Sequence, residues 1–346
     1  MIAITAEESA HMKKKAVFLA EKDNRHIDRV FDDGVREWMK GNIDVLPEYI
    51  GHHNAGLHRS ELQEAEIAFA TWGIPRFTEE ELQNYFPNLR VVFYAAGSVQ
   101  AFARPFMSRG ITVVSGWAAN AVPVAEYTVS QIVLANKGFY RASRLYKQNY
   151  SDSKRTTGVY PGNYGAKVGI LGAGMIGRKV IERLREYELE LFVFDPFMPE
   201  ERAKEMGVAK SGLPELFSSC DTISNHLANL PATVGMLNKE HFDRMLPHAT
   251  FINTGRGAQV VEDDLIRALR EVPTRTAVLD VTYPEPVQQD SELLRLDNVV
   301  LTPHIAGSMG GEVARMGVYM ADECGRYLKG EPLLFKVTAE MLETMA

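Results

Sequence analysis

The chain has two cysteines in 346 residues, Cys220 and Cys324, too few for a disulfide framework and without the paired spacing of a zinc site. No metal site is expected. It also lacks an apolar run long enough to span a bilayer, so no membrane role is expected. Basic residues do not predominate: 38 Lys+Arg stand against 45 Asp+Glu, a net charge of -7, which argues against a nucleic-acid partner. No secretion signal is expected either, because only five apolar residues separate Lys13-Lys14-Lys15 from Glu21. The cytoplasm is therefore the expected location. There is no short-period repeat and no low-complexity tract. What is present, 45% hydrophobic and 24% charged residues over this length, suits a globular protein of two domains. Residues 1–12 are set aside, because His11-Met12 reads as the remnant of an expression tag.

Strand-like and helix-like runs alternate along the chain. "KAVFLA" (15–20), "EIAFAT" (66–71), "RVVFYA" (90–95) and "ITVVS" (111–115) read as buried strands. A helix is predicted over 27–39, and another over 78–86 with Thr78 and Glu81 as a capping box. Val124, Thr128, Ile132 and Ala135 share one face of a long helix over 120–138. The polar segment 149–167 then reads as an exposed connection. A second series follows, with strands at 167–172, 189–195, 221–227, 249–255, 275–281 and 298–303. The segment 310–332 reads as one amphipathic helix that returns to cover the first domain. Such βα alternation predicts an α/β fold with parallel sheets covered by helices.

Gly172, Gly174 and Gly177 follow the first strand of the second series in G-x-G-x-x-G spacing and open a helix. Asp195 closes the next strand. This is the context of a dinucleotide fingerprint: glycines admit a pyrophosphate, and the helix N-terminus offers free N–H groups. A carboxylate at 195 accepts ribose hydroxyls and repels a 2′-phosphate, which favours NAD over NADP. The alternative is a tight turn without ligand.

Asp195, His226, Arg256, Asp280 and His304 all fall at or just beyond the carboxyl end of a predicted strand, where ligands bind in open parallel sheets. Each has a plain alternative. Asp195 caps a turn, His226 is a satisfied buried histidine, Arg256 lies on the surface, Asp280 is a structural acceptor, and Glu285 and His304 are loop residues. The prolines around Glu285 in "LDVTYPEP" and before His304 in "TPHIAGS" favour side chains that must point one way.

With these motifs, and with "VAEYT" (124–128) and "NTGRGAQVVEDDLIRAL" (253–269), the chain resembles the D-isomer-specific 2-hydroxyacid dehydrogenases from about residue 66 to 335. The resemblance implies a Rossmann NAD-binding domain (118–307) inserted into a flavodoxin-like substrate domain (1–117 and 308–346). It implies interconversion of a D-2-hydroxy acid and its 2-keto acid with NAD, with catalytic Arg256, Glu285 and His304. Backbone N–H groups of Ala96, Gly97 and Ser98 would hold the substrate carboxylate together with Arg256. Cofactor contacts map onto Gly172, Gly174, Met175, Ile176, Gly177, Asp195, Leu227, Ala228, Thr233, Thr254, Gly255, Arg256 and Asp280. The helix over 120–138 implies a homodimer.

The chain departs from the family pattern at Val99-Gln100, at Ala228 where proline is usual, at Tyr127 where His is common, and at Trp72-Gly73. Two rival readings accompany the resemblance. Formate dehydrogenases of this fold place Gln where Glu285 stands, so Glu285 counts against formate oxidation. A dinucleotide-sensing corepressor can keep the triad, although the chain lacks long disordered tails and a basic patch. The sequence does not choose the acid. Arg76, Arg104 and Arg109 are the first-domain cations available for a phosphorylated one.

Overall fold

A computed structural model of the chain describes residues 13–22 and 25–344; the expression-tag reading of 1–12 lies outside them. The short apolar runs form two wholly parallel sheets, and the fold is α/β as the alternation predicts. In one sheet, β1 (Lys15–Leu19), β2 (Asp44–Ile50), β3 (Ile67–Ala70), β4 (Val91–Tyr94) and β5 (Thr112–Ser115) take the order β2-β1-β3-β4-β5, that of flavodoxin-like folds. The other holds β6 (Tyr164–Leu171), β7 (Glu188–Phe194), β8 (Ala209–Lys210), β9 (Thr222–Asn225), β10 (Thr250–Asn253), β11 (Thr276–Leu279) and β12 (Val299–Leu301). Its order is β12-β11-β10-β9-β6-β7-β8, a Rossmann sheet whose direction of growth reverses between β6 and β9. The chain divides into two units. One runs to Asn120 and resumes at Met309; the other is Ala121–Ser308.

The first unit is built on aromatic packing. Phe18, Phe31, Phe69 and Phe93 are buried in one cluster, with Phe69 stacked on Phe93 at 5.3 Å. Each such ring contributes roughly 1.5–3 kcal/mol by burial. The helix Val313–Lys329 brings Val313, Met316, Met320 and Cys324 into the same core, so the returning segment covers the first sheet. Beyond that helix, Ser115 N–H donates to Phe335 O and Val337 N–H to Val113 O, which adds a short antiparallel contact to β5.

At Gly317 an added Cβ would stand 2.0 Å from the Val30 carbonyl oxygen. Gly317→Ala gains helix propensity yet is expected to lower stability by about 1–3 kcal/mol through overpacking. Urea unfolding measures it, and an unchanged or raised midpoint would show that the contact can yield.

Two sequence expectations need correction, and one strand has no counterpart among them. The helix over 27–39 is two helices, His26–Val30 and Asp33–Asn42, because the Asp32 side chain accepts the Val35 N–H at 3.0 Å and caps a new start. Strand β2 was missed because it carries Pro47 and is half-exposed, the signature of an edge strand. The segment 149–167 is not simply a connection. Asn149 caps a helix at Tyr150–Arg155, and β6 already begins at Tyr164. The capping box is present: Thr78 N–H donates to Glu81 Oε2 at 2.8 Å and Glu81 N–H to Thr78 Oγ1 at 3.2 Å. The long helix runs Trp117–Asn136, with Thr128, Ile132 and Ala135 buried.

Candidate active site

The loop after β6 shows why each glycine is there. Gly172 has φ +87°, and an added Cβ would meet the His226 carbonyl oxygen at 2.9 Å. At Gly177 the added atom would be 2.0 Å from Gly172 O, so the helix Met175–Leu184 packs directly on the turn. Gly174, the N-cap of that helix, has nothing within 4 Å of such an atom. The loop is thus tight on the protein side and open on the other, beside the unsatisfied N–H groups of a ten-residue helix carrying Met175 and Ile176 in its first turn. That cradle fits a pyrophosphate. Asp195 follows β7 and is half-buried. Its Oδ2 accepts the Ala173 N–H at 2.7 Å and its Oδ1 the Phe197 N–H at 2.8 Å, so one carboxylate fixes the glycine loop and its own turn. Each oxygen keeps a second lone pair for a ribose hydroxyl.

Across the switch point, His226 is buried. Its Nε2 meets Ser224 Oγ at 2.9 Å and its Nδ1 meets Thr254 Oγ1 at 3.3 Å; Thr254 Oγ1 in turn meets Thr128 Oγ1 at 3.3 Å. Burial pulls the imidazole down to about 3, so the folded state holds it neutral. An unfolded histidine titrates near 6.5, and between these values the unfolded chain binds the extra proton. The stabilising contribution is therefore complete above about pH 6.5 and is lost as pH falls toward 3, at about 1.4 kcal/mol per pH unit. His226→Gln should make the fall of stability from pH 6.5 to 4.5 shallower, as read from urea midpoints. Identical pH dependence in the two proteins would contradict the buried neutral ring. Nearby, Thr233 Oγ1 donates to Ala228 O and accepts the Leu230 N–H at 2.9 Å, closing the loop 228–233 on itself.

Asp280 follows β11 and is buried. Its Oδ1 accepts Thr302 Oγ1–H at 2.6 Å and the Ile305 N–H at 2.8 Å; its Oδ2 accepts the Ala306 N–H at 2.9 Å. The Asp280 carbonyl accepts the His304 N–H at 3.0 Å. One residue thereby moulds the loop 302–306. Tyr127 OH lies 3.1 Å from Thr302 Oγ1, and burial raises its phenol above the usual range. His304 needs this mould: its φ of +55° is the single positive value outside glycine among the described residues, a conformation that costs on the order of 1 kcal/mol.

Held so, His304 Nδ1 lies 2.7 Å from Glu285 Oε1. Glu285 sits between cis Pro284 and cis Pro286, and Thr282 Oγ1 donates to Pro284 O at 2.8 Å. Arg256, three residues beyond β10, is half-buried, with Nη1 donating to Gly255 O at 2.8 Å. Burial draws its guanidinium below its ordinary range, and Glu285 pushes the other way. An added Cβ at Gly257 would lie 2.0 Å from the Thr282 carbonyl carbon, so the Arg256 loop packs against the segment leading to Glu285. A cation, a carboxylate and an imidazole are thus brought to neighbouring strand ends of one sheet.

In the other unit, Ala96, Gly97 and Ser98 follow β4. Ser115 Oγ binds Ala96 O at 2.9 Å and Gly97 O at 2.7 Å, fixing the loop's carbonyls. The Ala96 N–H donates to Tyr94 O at 2.9 Å, so that N–H is already engaged within the loop. Sequence reasoning missed Thr302 and the buried amides Asn225, Asn253 and Gln259. A signal existed for two of them: Asn is disfavoured in strands, yet it ends both β9 and β10.

The family model described as "D-isomer specific 2-hydroxyacid dehydrogenase, NAD binding domain" matches residues 129–306. The chain is 32% identical to D-3-phosphoglycerate dehydrogenase of Archaeoglobus fulgidus over 235 residues, covering 68% of this chain and 44% of that protein. It is 28% identical to the Bacillus subtilis protein of the same name over 309 residues, 89% of this chain and 57% of that one. The chain therefore spans about half the length of these relatives. D-mandelate dehydrogenase of Rhodotorula graminis in its apo form superposes with a TM-score of 0.78 at 19% identity, covering 94% of this chain and 98% of that one. A phosphoglycerate oxidoreductase from Rhizobium etli gives 0.78 at 22%, with 94% and 99% covered. At such identities these likenesses speak for the fold. Among the described residues, no helix is long and apolar enough to cross a membrane.

Proposed function

Because the chain belongs to the D-isomer specific 2-hydroxyacid dehydrogenases, with NAD as cofactor, we propose that it interconverts a D-2-hydroxy acid and the corresponding 2-keto acid. The observation that carries this reading is His304 Nδ1 at 2.7 Å from Glu285 Oε1, with Arg256 on the adjoining loop. A carboxylate on Nδ1 orients the ring, presents Nε2 to the substrate and stabilises the ring once it holds a proton. Oxidation of the hydroxy acid leaves the hydroxyl proton on His304; reduction of the keto acid takes it back to the carbonyl oxygen. Arg256 pairs with the substrate carboxylate and polarises the keto oxygen through its fork of donors. NAD, when bound, exchanges the hydride with the substrate's C2. For that cofactor, Gly172–Gly177 would hold the pyrophosphate, Asp195 the adenosine ribose, and Leu227, Ala228, Thr233, Thr254, Gly255 and Asp280 the remainder.

The working form is a homodimer. Phe139, Tyr146, Tyr150 and Tyr164 are 47–77% exposed around the end of the long helix and the segment after it, an aromatic surface that a second copy would cover.

The test mixes the protein with NADH and a panel of keto acids: glyoxylate, hydroxypyruvate, its phosphorylated form, pyruvate, and branched and aromatic acids. Loss of NADH absorbance with at least one acid is expected. NADH binding without turnover of any acid would instead make the chain a dinucleotide-binding protein.

A further inference from the structure

Three fully buried side-chain amides lie behind the candidate site, at the ends of β9 and β10 and in the turn after Arg256: Asn225, Asn253 and Gln259. Gln259 Nε2 donates to Leu227 O at 2.7 Å and to Ala228 O at 2.9 Å. Its Oε1 accepts the Arg256 N–H at 3.1 Å and Asn225 Nδ2–H at 2.6 Å. Asn225 Nδ2 also donates to Asn253 Oδ1 at 3.0 Å, and Asn225 Oδ1 accepts the Leu227 N–H at 3.2 Å. Asn253 Oδ1 accepts the Gly255 N–H at 3.0 Å, and Asn253 Nδ2 donates to Arg256 O at 3.2 Å.

The orientation of Gln259 is forced, since its nitrogen faces two carbonyl oxygens and its oxygen faces two donors. Both of its amide hydrogens and both of its acceptor sites are used. Two kinds of backbone are held by this one cluster. The N–H and the carbonyl of Arg256 go to Gln259 and Asn253, and the carbonyls of Leu227 and Ala228 go to Gln259. There is no slack around it: a Cβ at Gly255 would come within 2.9 Å of Gln259 Oε1 and 3.0 Å of Asn225 Nδ2.

We infer that Gln259, with Asn225 and Asn253, is a positioning residue that sets the backbone of Arg256 and of the 227–228 loop together. Arg256 then presents its guanidinium, and Leu227-Ala228 their cofactor-facing surface, from one shared hydrogen-bonded unit. The inference rests on the proposed function for what those segments contact, and on the hydrogen bonds for the fact that they are coupled. Losing the Gln259 amide leaves the Arg256 N–H, one Asn225 hydrogen and the Leu227 carbonyl unpaired in a buried place, while the Ala228 carbonyl keeps only the Thr233 hydroxyl and the Leu230 N–H. The effect should reach both loops at once.

The test uses Gln259→Met, which keeps length without polar atoms, and Gln259→Glu, which keeps shape but turns an oxygen toward the two carbonyls. Hydrogen exchange in the free protein comes first. Segments 225–230 and 253–259 should exchange roughly ten-fold faster in both variants, while β6 and β7 exchange as in the wild type. Kinetics come second. The Kd for NADH and the KM for the keto acid should both rise by roughly ten-fold, with a smaller change in kcat. Unchanged exchange in either segment, or faster exchange spread over the whole unit, would overturn the inference. If the wild type binds no NADH, the functional proposal falls, and the exchange data still decide whether Gln259 couples the two loops.

Discussion

Replacing His304 with Gln should lower turnover by at least about 100-fold while NADH binding persists, since general acid/base catalysis is typically worth 10²–10⁴-fold. The reasoning starts from the backbone. A chain accepts a non-glycine residue at φ +55° only where surrounding contacts impose it. Here the Asp280 carbonyl takes the His304 N–H, and the Asp280 carboxylate takes the N–H groups of the next two residues. The imidazole reaches Glu285 at 2.7 Å, while both side chains remain about half exposed. A ring with one nitrogen tethered to a carboxylate and the other available suits reversible proton transfer better than packing. Gln keeps a polar side chain of similar reach and cannot carry the proton. NADH fluorescence titration separates binding from turnover, and near-normal turnover in the variant would remove His304 from the mechanism.

The second large effect is expected at Asp280. Asp280→Asn should cost about 2–3 kcal/mol, because a buried carboxylate accepting three hydrogen bonds becomes an amide that must turn a donor toward at least one of them. Activity should fall with stability, since the loop carrying His304 is released. Thr302→Val removes a single donor and should cost about 1 kcal/mol. Urea unfolding without cofactor is the deciding measurement. If Asp280→Asn unfolds like the wild type yet loses activity, the carboxylate acts on a ligand rather than on the loop.

Most of this site could be read from the sequence because the carboxyl ends of parallel strands have a local signature. An apolar run ends, and the next polar residue or glycine marks a ligand-facing loop. Asp195, His226, Arg256, Asp280 and His304 all lie one to three positions past β7, β9, β10, β11 and β12, where that rule places them, although His226 is buried with both ring nitrogens engaged. The Glu285–His304 contact was foreshadowed by flanking prolines. What escaped was non-local. Nothing near Gln259 announces that its amide faces Leu227 and Ala228, which are more than thirty residues away. Tyr127 meets Thr302 across 175 positions, and only tertiary folding pairs them. The fold was least legible where local chemistry competed with periodicity. Asp32 interrupts a helical pattern as a cap, and Pro47 disguises an edge strand.

The helix Val313–Lys329 also bears on how the protein emerges from the ribosome. The first sheet is complete in strands once Ser115 is made, yet its aromatic face waits for Met316 and Met320. At typical elongation of about 5–20 residues per second, that wait lasts roughly 10–40 s while Ala121–Ser308 is synthesised. The inserted unit, continuous in the chain, can finish its own core first. Nascent first-unit segments with Phe31, Phe69 and Phe93 uncovered are then the stage at which chaperone binding is expected, and chains truncated before residue 313 are expected to aggregate.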